Sequence, residues 1–324
     1  MTNMPENHKT THDSYTAVFP LDIESIMFIQ MGIQIPSSTD TSPVISQVNA
    51  LIDKYPTHID TAIHSEDKDT VNVLFLCYFK DIKVYDEWRN SPKIMTFLNG
   101  NHTISGRFGL SFEAFRIFID EFETTHSSNS QRDGVSHFTP LEVSKKHEYW
   151  GAMRDRIPAS VHQSFPGSNK KITVSTTEDK TFVHLPKNSC FIRTVQDLTD
   201  VSAEEKKLYE EMIRPVLHRG VQHLATDSNS GCLAIKGVEE VNTAGDKKDI
   251  HSVLAYFQSL DHLEQWSKSH KTHLSIYGTY FKLLKEQENK TSIRLWHEVC
   301  LLDDDRTEIF YLRCKSNTGL LRNV

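Results

Sequence analysis

Val73–Ser91, VLFLCYFKDIKVYDEWRNS, and Ser252–Ser269, SVLAYFQSLDHLEQWSKS, align without gaps. Tyr78 and Tyr256, Phe79 and Phe257, Ile82 and Leu260, Trp88 and Trp266, and Ser91 and Ser269 each stand 178 positions apart. An apolar run followed by an amphipathic stretch with a single Trp reads as a strand running into a helix, the Trp packing back on a sheet. Repeated matches at one fixed offset point to a duplicated unit.

The flanks extend that unit. Ser25–Ile35 is a strand candidate, followed by a helix in which Ser42 is a good N-cap, Pro43 suits the first turn, and Ile45, Val48 and Ile52 share a face. Val71–Phe79 and Gly109–Ile119 complete the strands of the first half. In the second half Ser189–Thr194 is a strand, and Ser202–Glu205 is a capping box opening a helix through Leu217 that Pro215 should kink or split. Gly231–Val238, Ile250–Phe257, Ile293–Cys300 and Glu308–Arg313 follow as strands. The reading is α+β: tandem ferredoxin-like (βαββαβ) repeats whose sheets pack into one barrel-like core with helical insertions. It gives a mobile lead-in over 1–20, a first repeat over 21–123, a linker and insertion over 124–187, and a second repeat over 188–324. The linker is the polar stretch Thr124–Ser136.

Composition narrows the function. With 324 residues, 38% hydrophobic, the chain can bury a large core, and its mean hydropathy of −0.45 is that of a water-soluble protein. No apolar run approaches the ~18–20 residues of a membrane span, and the polar N-terminus has no secretory core. A net charge of −7 without an extended basic face argues against nucleic acid as partner. Cys77, Cys190, Cys232, Cys300 and Cys314 are dispersed and mostly set in apolar runs, as expected of core thiols in a reduced cytoplasm. With no CxxC or CxxCH, zinc ribbons and covalently attached haem lack support. The absence of a Gly-rich phosphate loop, GxSxG and HExxH removes nucleotide, hydrolase and zincin readings.

Two histidines stand out. His273 lies near the end of WSKSHKTHL, a helix-like stretch, seven residues after Trp266 and therefore on its face if the helix persists. His297 lies in IRLWHEV, a strand-like stretch, on the apolar row of Ile293, Leu295 and Val299, where desolvation would lower its pKa. One imidazole to hold iron and a second to move protons is the requirement of a haem enzyme. His270 competes for ligation, and HxxH with His297 or Glu298 leaves a non-haem metal site open.

YWGAMRDRIP (Tyr149–Pro158), SHKTHL (Ser269–Leu274), LWHEV (Leu295–Val299) and NTGLLR (Asn317–Arg322) occur in this order. Together they resemble the aldoxime dehydratases, haem lyases that convert an aldoxime to a nitrile and water, and the likeness extends over most of the chain. The duplicated core similarly resembles the dimeric α+β barrel haem proteins, with the two units fused.

The resemblance implies haem b, active as ferrous iron, with His273 as proximal ligand and His297 as distal acid and base. It also implies that Arg156 and Glu123 hydrogen-bond into the distal site. Thr194 stands where the family carries a Ser that binds the aldoxime hydroxyl, so the hydroxyl is kept and a methyl added. A homodimer is expected, because fused-repeat relatives pair and sheet edges need cover. The position 178 residues before His273 is Met95, so one haem per chain is expected rather than two. The rival readings are a haem peroxidase or oxygenase of the same barrel, and a non-catalytic haem-binding protein.

Overall fold

The computed structural model describes residues 2–52, 54–100, 108–130, 133–177, 179–288 and 290–323. The chain opens with β1 (Ser14–Ala17), β2 (Ser25–Pro36), α1 (Ser42–Ile52), β3 (His58–Asp67) and β4 (Thr70–Phe79). Next come α2 (Ile82–Arg89), α3 (Pro92–Leu98), β5 (Gly109–Phe118), β6 (Phe122–His126) and β7 (Leu141–Ser144). A short α4 (Ala152–Arg156) precedes the hairpin of β8 (Thr173–Thr177) and β9 (Lys180–His184). The second half runs β10 (Ser189–Asp197), α5 (Ala203–Leu208), α6 (Arg214–Thr226), β11 (Cys232–Val241) and β12 (Lys247–Phe257). It ends with α7 (Leu260–Ser269), α8 (Lys271–Glu286), β13 (Arg294–Leu302) and β14 (Thr307–Leu312).

Among the described residues the strands form one 14-stranded antiparallel sheet in the order β7-β1-β6-β13-β10-β12-β11-β3-β4-β2-β5-β14-β9-β8. In each half the spatial order of its own four strands is fourth, first, third, second: β5-β2-β4-β3 and β13-β10-β12-β11. The two four-strand sets join where β11 pairs with β3, Glu240 opposite Ala62, and β13–β6 and β14–β5 are further pairings between the halves.

Every residue of β4 is buried, because both faces are covered. Val73, Phe75, Cys77 and Phe79 pack under α1 to α3 with Trp88, whereas Leu74, Leu76 and Tyr78 meet Phe191, Leu254 and Tyr256 of the second half. That shared interior also holds a charge cluster. Arg193, 0% exposed, donates to Tyr78 Oη and Glu240 at 2.8 Å each and pairs ionically with Asp60 at 2.8 Å, and Tyr78 in turn donates to Glu298 at 2.7 Å. Buried charges persist only when paired in this way.

Several local readings are refined. The Ser42 hydroxyl donates to the Ala244 carbonyl rather than capping α1, and Asp40 accepts from Ser42 N instead. Pro215 splits its helix: a π turn over Tyr209–Ile213 separates α5 from α6, which continues to Thr226. A Pro without an N–H, whose ring crowds the preceding turn, accounts for that widening. The lead-in is not free. Asp155 accepts from Thr2, Asn3 and Met4, and β1 pairs with β6 and β7. Thr124–His126, the start of the expected linker, belongs to β6, and residues 131 and 132 of that linker lie outside the described residues.

The two repeat tryptophans occupy matching places, Trp88 at 5.3 Å from Phe79 and Trp266 at 6.4 Å from Phe257 between ring centroids. Beyond them the halves diverge: Met95 is an exposed residue of α3, 45% accessible, and His273 a half-buried residue of α8.

Candidate active site

β13 carries His297 between β10 and β6, opposite Thr194 on one side and Thr125 on the other. Strand alternation turns Leu295, His297 and Val299 to one face and Trp296, Glu298 and Cys300 to the other. Glu298 therefore points into the shared interior, where Val135 N and Tyr78 donate to it, so it cannot complete a metal set with His297. On the face of His297, β6 contributes Glu123, opposite Val299, and β10 contributes Ile192 and Thr194.

This face is roofed by α7 and by the segment Ile157–Phe165, which form an apolar cluster with Val299 and Leu301. α4 is locked to α7 through Arg154, which donates to Glu264 at 3.0 Å and to Asp261 at 2.6 Å. Gly151 starts α4 at φ +97°, and a Cβ there would meet Asn3 at 2.6 Å, so this position requires glycine.

Arg156 ends α4 and reaches down to the sheet. Its Nε donates to Glu123 Oε2 at 2.6 Å and a terminal nitrogen donates to the Lys146 carbonyl at 2.6 Å. The other terminal nitrogen lies 3.2 Å from His297 Nε2. His297 Nε2 is also 2.9 Å from Glu123 Oε1. Three of the residues singled out from sequence thus form one hydrogen-bonded triangle. Arg156 can only donate and Glu123 only accept, so His297 Nε2 either accepts from Arg156 or donates to Glu123, according to its tautomer. The Glu123 side chain is wholly buried and Arg156 nearly so, at 0% and 6% accessibility, whereas His297 keeps 25%. Burial alone would raise the Glu123 pKa; Arg156 and His297 outweigh it and hold the carboxyl below the ordinary range.

Thr194 lies beside the triangle as the register partner of His297, and it is half-buried. His273 stands on α8. The helix does not persist from Trp266, since it breaks at His270, which caps α8 by accepting from Thr272 N. The break still brings His273 onto Trp266, ring centroids 4.8 Å apart and edge to face. His270 turns away and stacks on His223 at 3.8 Å. Burial lowers the His273 pKa, opposed by the Ser267 carbonyl, and its Nδ1 is buried without a hydrogen bond of ordinary geometry.

Around His273, α8 leaves Leu274, Tyr277 and Phe281 exposed at 39%, 46% and 42%, and Trp150 faces Tyr277 at 6.0 Å. Large apolar side chains left open beside a half-buried imidazole fit a flat apolar macrocycle held through its metal. Clefts of about 330 and 620 Å³ lie around Arg116 and Ile82, the smaller one also lined by Asp305, Arg306, Thr307 and Glu308, and include none of these residues. The sequence reading missed the Lys146 carbonyl, which anchors Arg156, and His126, whose ring stacks on Trp296 at 5.7 Å. A backbone acceptor leaves no mark in a side-chain pattern.

Among known proteins, a family model described as haem-containing dehydratase matches residues 30–320. A phenylacetaldoxime dehydratase of Bacillus sp. (strain OxB-1) is 33% identical over 330 residues, 99% of this chain and 94% of that protein. An aliphatic aldoxime dehydratase of Rhodococcus globerulus is 26% identical, covering 96% of this chain and 93% of that one. A crystal structure of an aldoxime dehydratase in complex with butyraldoxime superposes with a TM-score of 0.91 at 25% identity, covering all of this chain and 92% of that one.

Proposed function

We propose that in this chain, which belongs to the haem-containing dehydratases, His273 holds the haem iron and His297 gives and recovers the proton of the reaction. The reaction is dehydration of an aldoxime to a nitrile, with haem as cofactor. Bound haem supplies a Lewis-acidic, electron-donating iron for the aldoxime nitrogen. The remaining work falls to side chains.

His297 Nε2 is engaged by Glu123 and Arg156, which leaves Nδ1 to face the substrate. His297 donates from Nδ1 to the oxime hydroxyl, the N–O bond breaks and water leaves. The same nitrogen then takes the proton from the oxime carbon as the triple bond forms, so the ring ends as it began. Glu123 and Arg156 are positioning residues that fix the ring. The Thr194 hydroxyl orients the oxime oxygen toward His297. The single observation that carries this reading is the buried Arg156–Glu123–His297 triangle beside Thr194.

The test is direct. Reduced, oxygen-free holoprotein should convert phenylacetaldoxime or butyraldoxime to its nitrile without oxidant. Oxidation of a donor by the ferric protein and peroxide, with no nitrile from the ferrous form, would favour the peroxidase reading instead. A carrier would tolerate loss of His297.

Three broader points belong to the same proposal. The matching strand order of the two halves and the matching Trp88 and Trp266 contacts support two fused ferredoxin-like repeats. The edge strand β8, exposed along its whole length, supports pairing into a homodimer, which light scattering would test. Free thiols at all five cysteines support a cytoplasmic location.

A further inference from the structure

Near the open face of α8, the N-terminal arm meets the segment that leads into α4. There His12, His147 and Glu148 each offer one ligand atom, and these atoms lie within 4.8 Å of one another. Glu148 Oε1 is the focus, 2.5 Å from His12 Nδ1 and 3.7 Å from His147 Nδ1. Independently of that convergence, His147 is only 7% exposed, yet neither of its ring nitrogens makes a hydrogen bond among the described residues. Buried polar groups are almost always satisfied, so a buried imidazole with both nitrogens open lacks a partner. Its backbone, by contrast, is held: His8 Nε2 bonds the His147 carbonyl at 2.8 Å.

Two imidazole nitrogens and a carboxylate oxygen are the donor set of zinc and its first-row neighbours, with water in the fourth position. Zinc bonds of that kind set ligand atoms about 3.3–3.5 Å apart. From a spread of up to 4.8 Å the widest pair must close by up to about 1.4 Å, while the 2.5 Å His12–Glu148 pair must open by about 0.9 Å, and His12, with 57% of its side chain exposed, has room to move. A cation would replace the proton shared by His12 and Glu148.

We propose that His12, His147 and Glu148 bind one divalent transition ion, zinc in the first instance, that clips the N-terminal arm onto the segment carrying Arg156. The arm already lies on that segment. Thr11 N and Oγ1 donate to Glu148 at 2.8 and 2.9 Å, and Asp155 holds Thr2, Asn3 and Met4. The clip sits next to Lys146, whose carbonyl receives Arg156, so the ion fastens the backbone that positions Arg156 without entering the reaction.

The test uses haem-loaded protein stripped of other metals, given an equivalent of zinc and desalted. Elemental analysis then reads zinc and haem iron separately. About one zinc per chain is expected in the wild type, with at least ~10-fold weaker retention in His12→Ala and Glu148→Gln, since loss of a ligand exceeds the cost of disturbing an outer-shell partner. Both changes lie at partly or fully exposed side chains, and an unchanged haem band confirms that each variant is folded. Retention of no zinc by the wild type, or equal retention by both variants, overturns the site. Limited proteolysis reads the clip itself: zinc should slow cleavage before Ser14 in the wild type alone, and equal cleavage with and without zinc contradicts that role.

Discussion

Glu123 Oε1 and His297 Nε2 lie 2.9 Å apart although 174 residues separate them in the chain. The contact exists because β6 and β13 are neighbours, which sets Glu123 diagonally behind His297 on one sheet face. A carboxylate there fixes the ring, and in the proposed mechanism the other nitrogen serves the substrate. Replacing His297 by Ala should keep haem and aldoxime binding yet slow nitrile formation by roughly 10²–10⁴-fold, the usual worth of a positioned acid–base group. Single-turnover mixing of reduced variant and aldoxime measures this, and near-normal turnover would place the proton donor elsewhere.

Glu123 also neutralises Arg156 in a buried place. Glu123→Ala should destabilise the fold by about 3–5 kcal/mol, because it strands a buried guanidinium, whereas Glu123→Gln should cost less by keeping a hydrogen-bond acceptor. The pH dependence follows from the depressed carboxyl. A group whose folded pKa lies below its unfolded value contributes fully above the ordinary Glu range, and the contribution is lost as pH falls through the folded pKa. Urea unfolding from pH 7 downward should show that acid loss in the wild type and a flatter profile in Glu123→Gln.

Thr194 separates shape from hydrogen bonding. Thr194→Ser should stay active and accept bulkier aldoximes, since it keeps the hydroxyl and removes a methyl. Thr194→Val, close in shape without the hydroxyl, should lose about 1–3 kcal/mol of transition-state stabilisation. Equal kcat/KM for Val and wild type would reduce Thr194 to a strand residue beside Cys190 and Ile192.

His126 gives a second pH signature. Buried, beside His297, and only partly offset by Glu123, it is pushed down to about 4 from 6.5. The unfolded chain then binds the extra proton first, so stability is full above about 6.5 and falls as pH drops toward 4, by on the order of 3 kcal/mol at most. Histidine NMR should show His126 neutral at pH 5.5; a protonated ring there contradicts its burial.

Local patterns account for what was legible in the sequence. The aromatic pairs at one offset reflect equal packing duties in the two halves, Trp88 and Trp266 each closing on a strand-end Phe. Alternation gave the face of His297. What stayed hidden depends on non-local pairing or on hydrogen bonds without an apolar signature. β3 is only partly buried beyond Ala62 and was not singled out. The break at His270 rests on a single extended residue, φ −81° and ψ 132°, with no Gly or Pro to announce it. Residues 2–13 look mobile because they are polar, yet polar contacts to Asp155 and Glu148 hold them. The meeting of Glu123, Arg156 and His297 requires the β6–β13 register and the descent of α4, neither of which is written near those residues.

The central claim is that His273 alone holds the haem, with His297 working opposite it. Absorption spectra of purified wild type, His273→Ala and His270→Ala, oxidised and then reduced, test it most directly. A normal Soret band in wild type and His270→Ala, and its loss in His273→Ala, is the predicted result, since His270 is turned onto His223 and His273 lies among the exposed apolar residues of α8. A normal Soret band in His273→Ala would contradict the account.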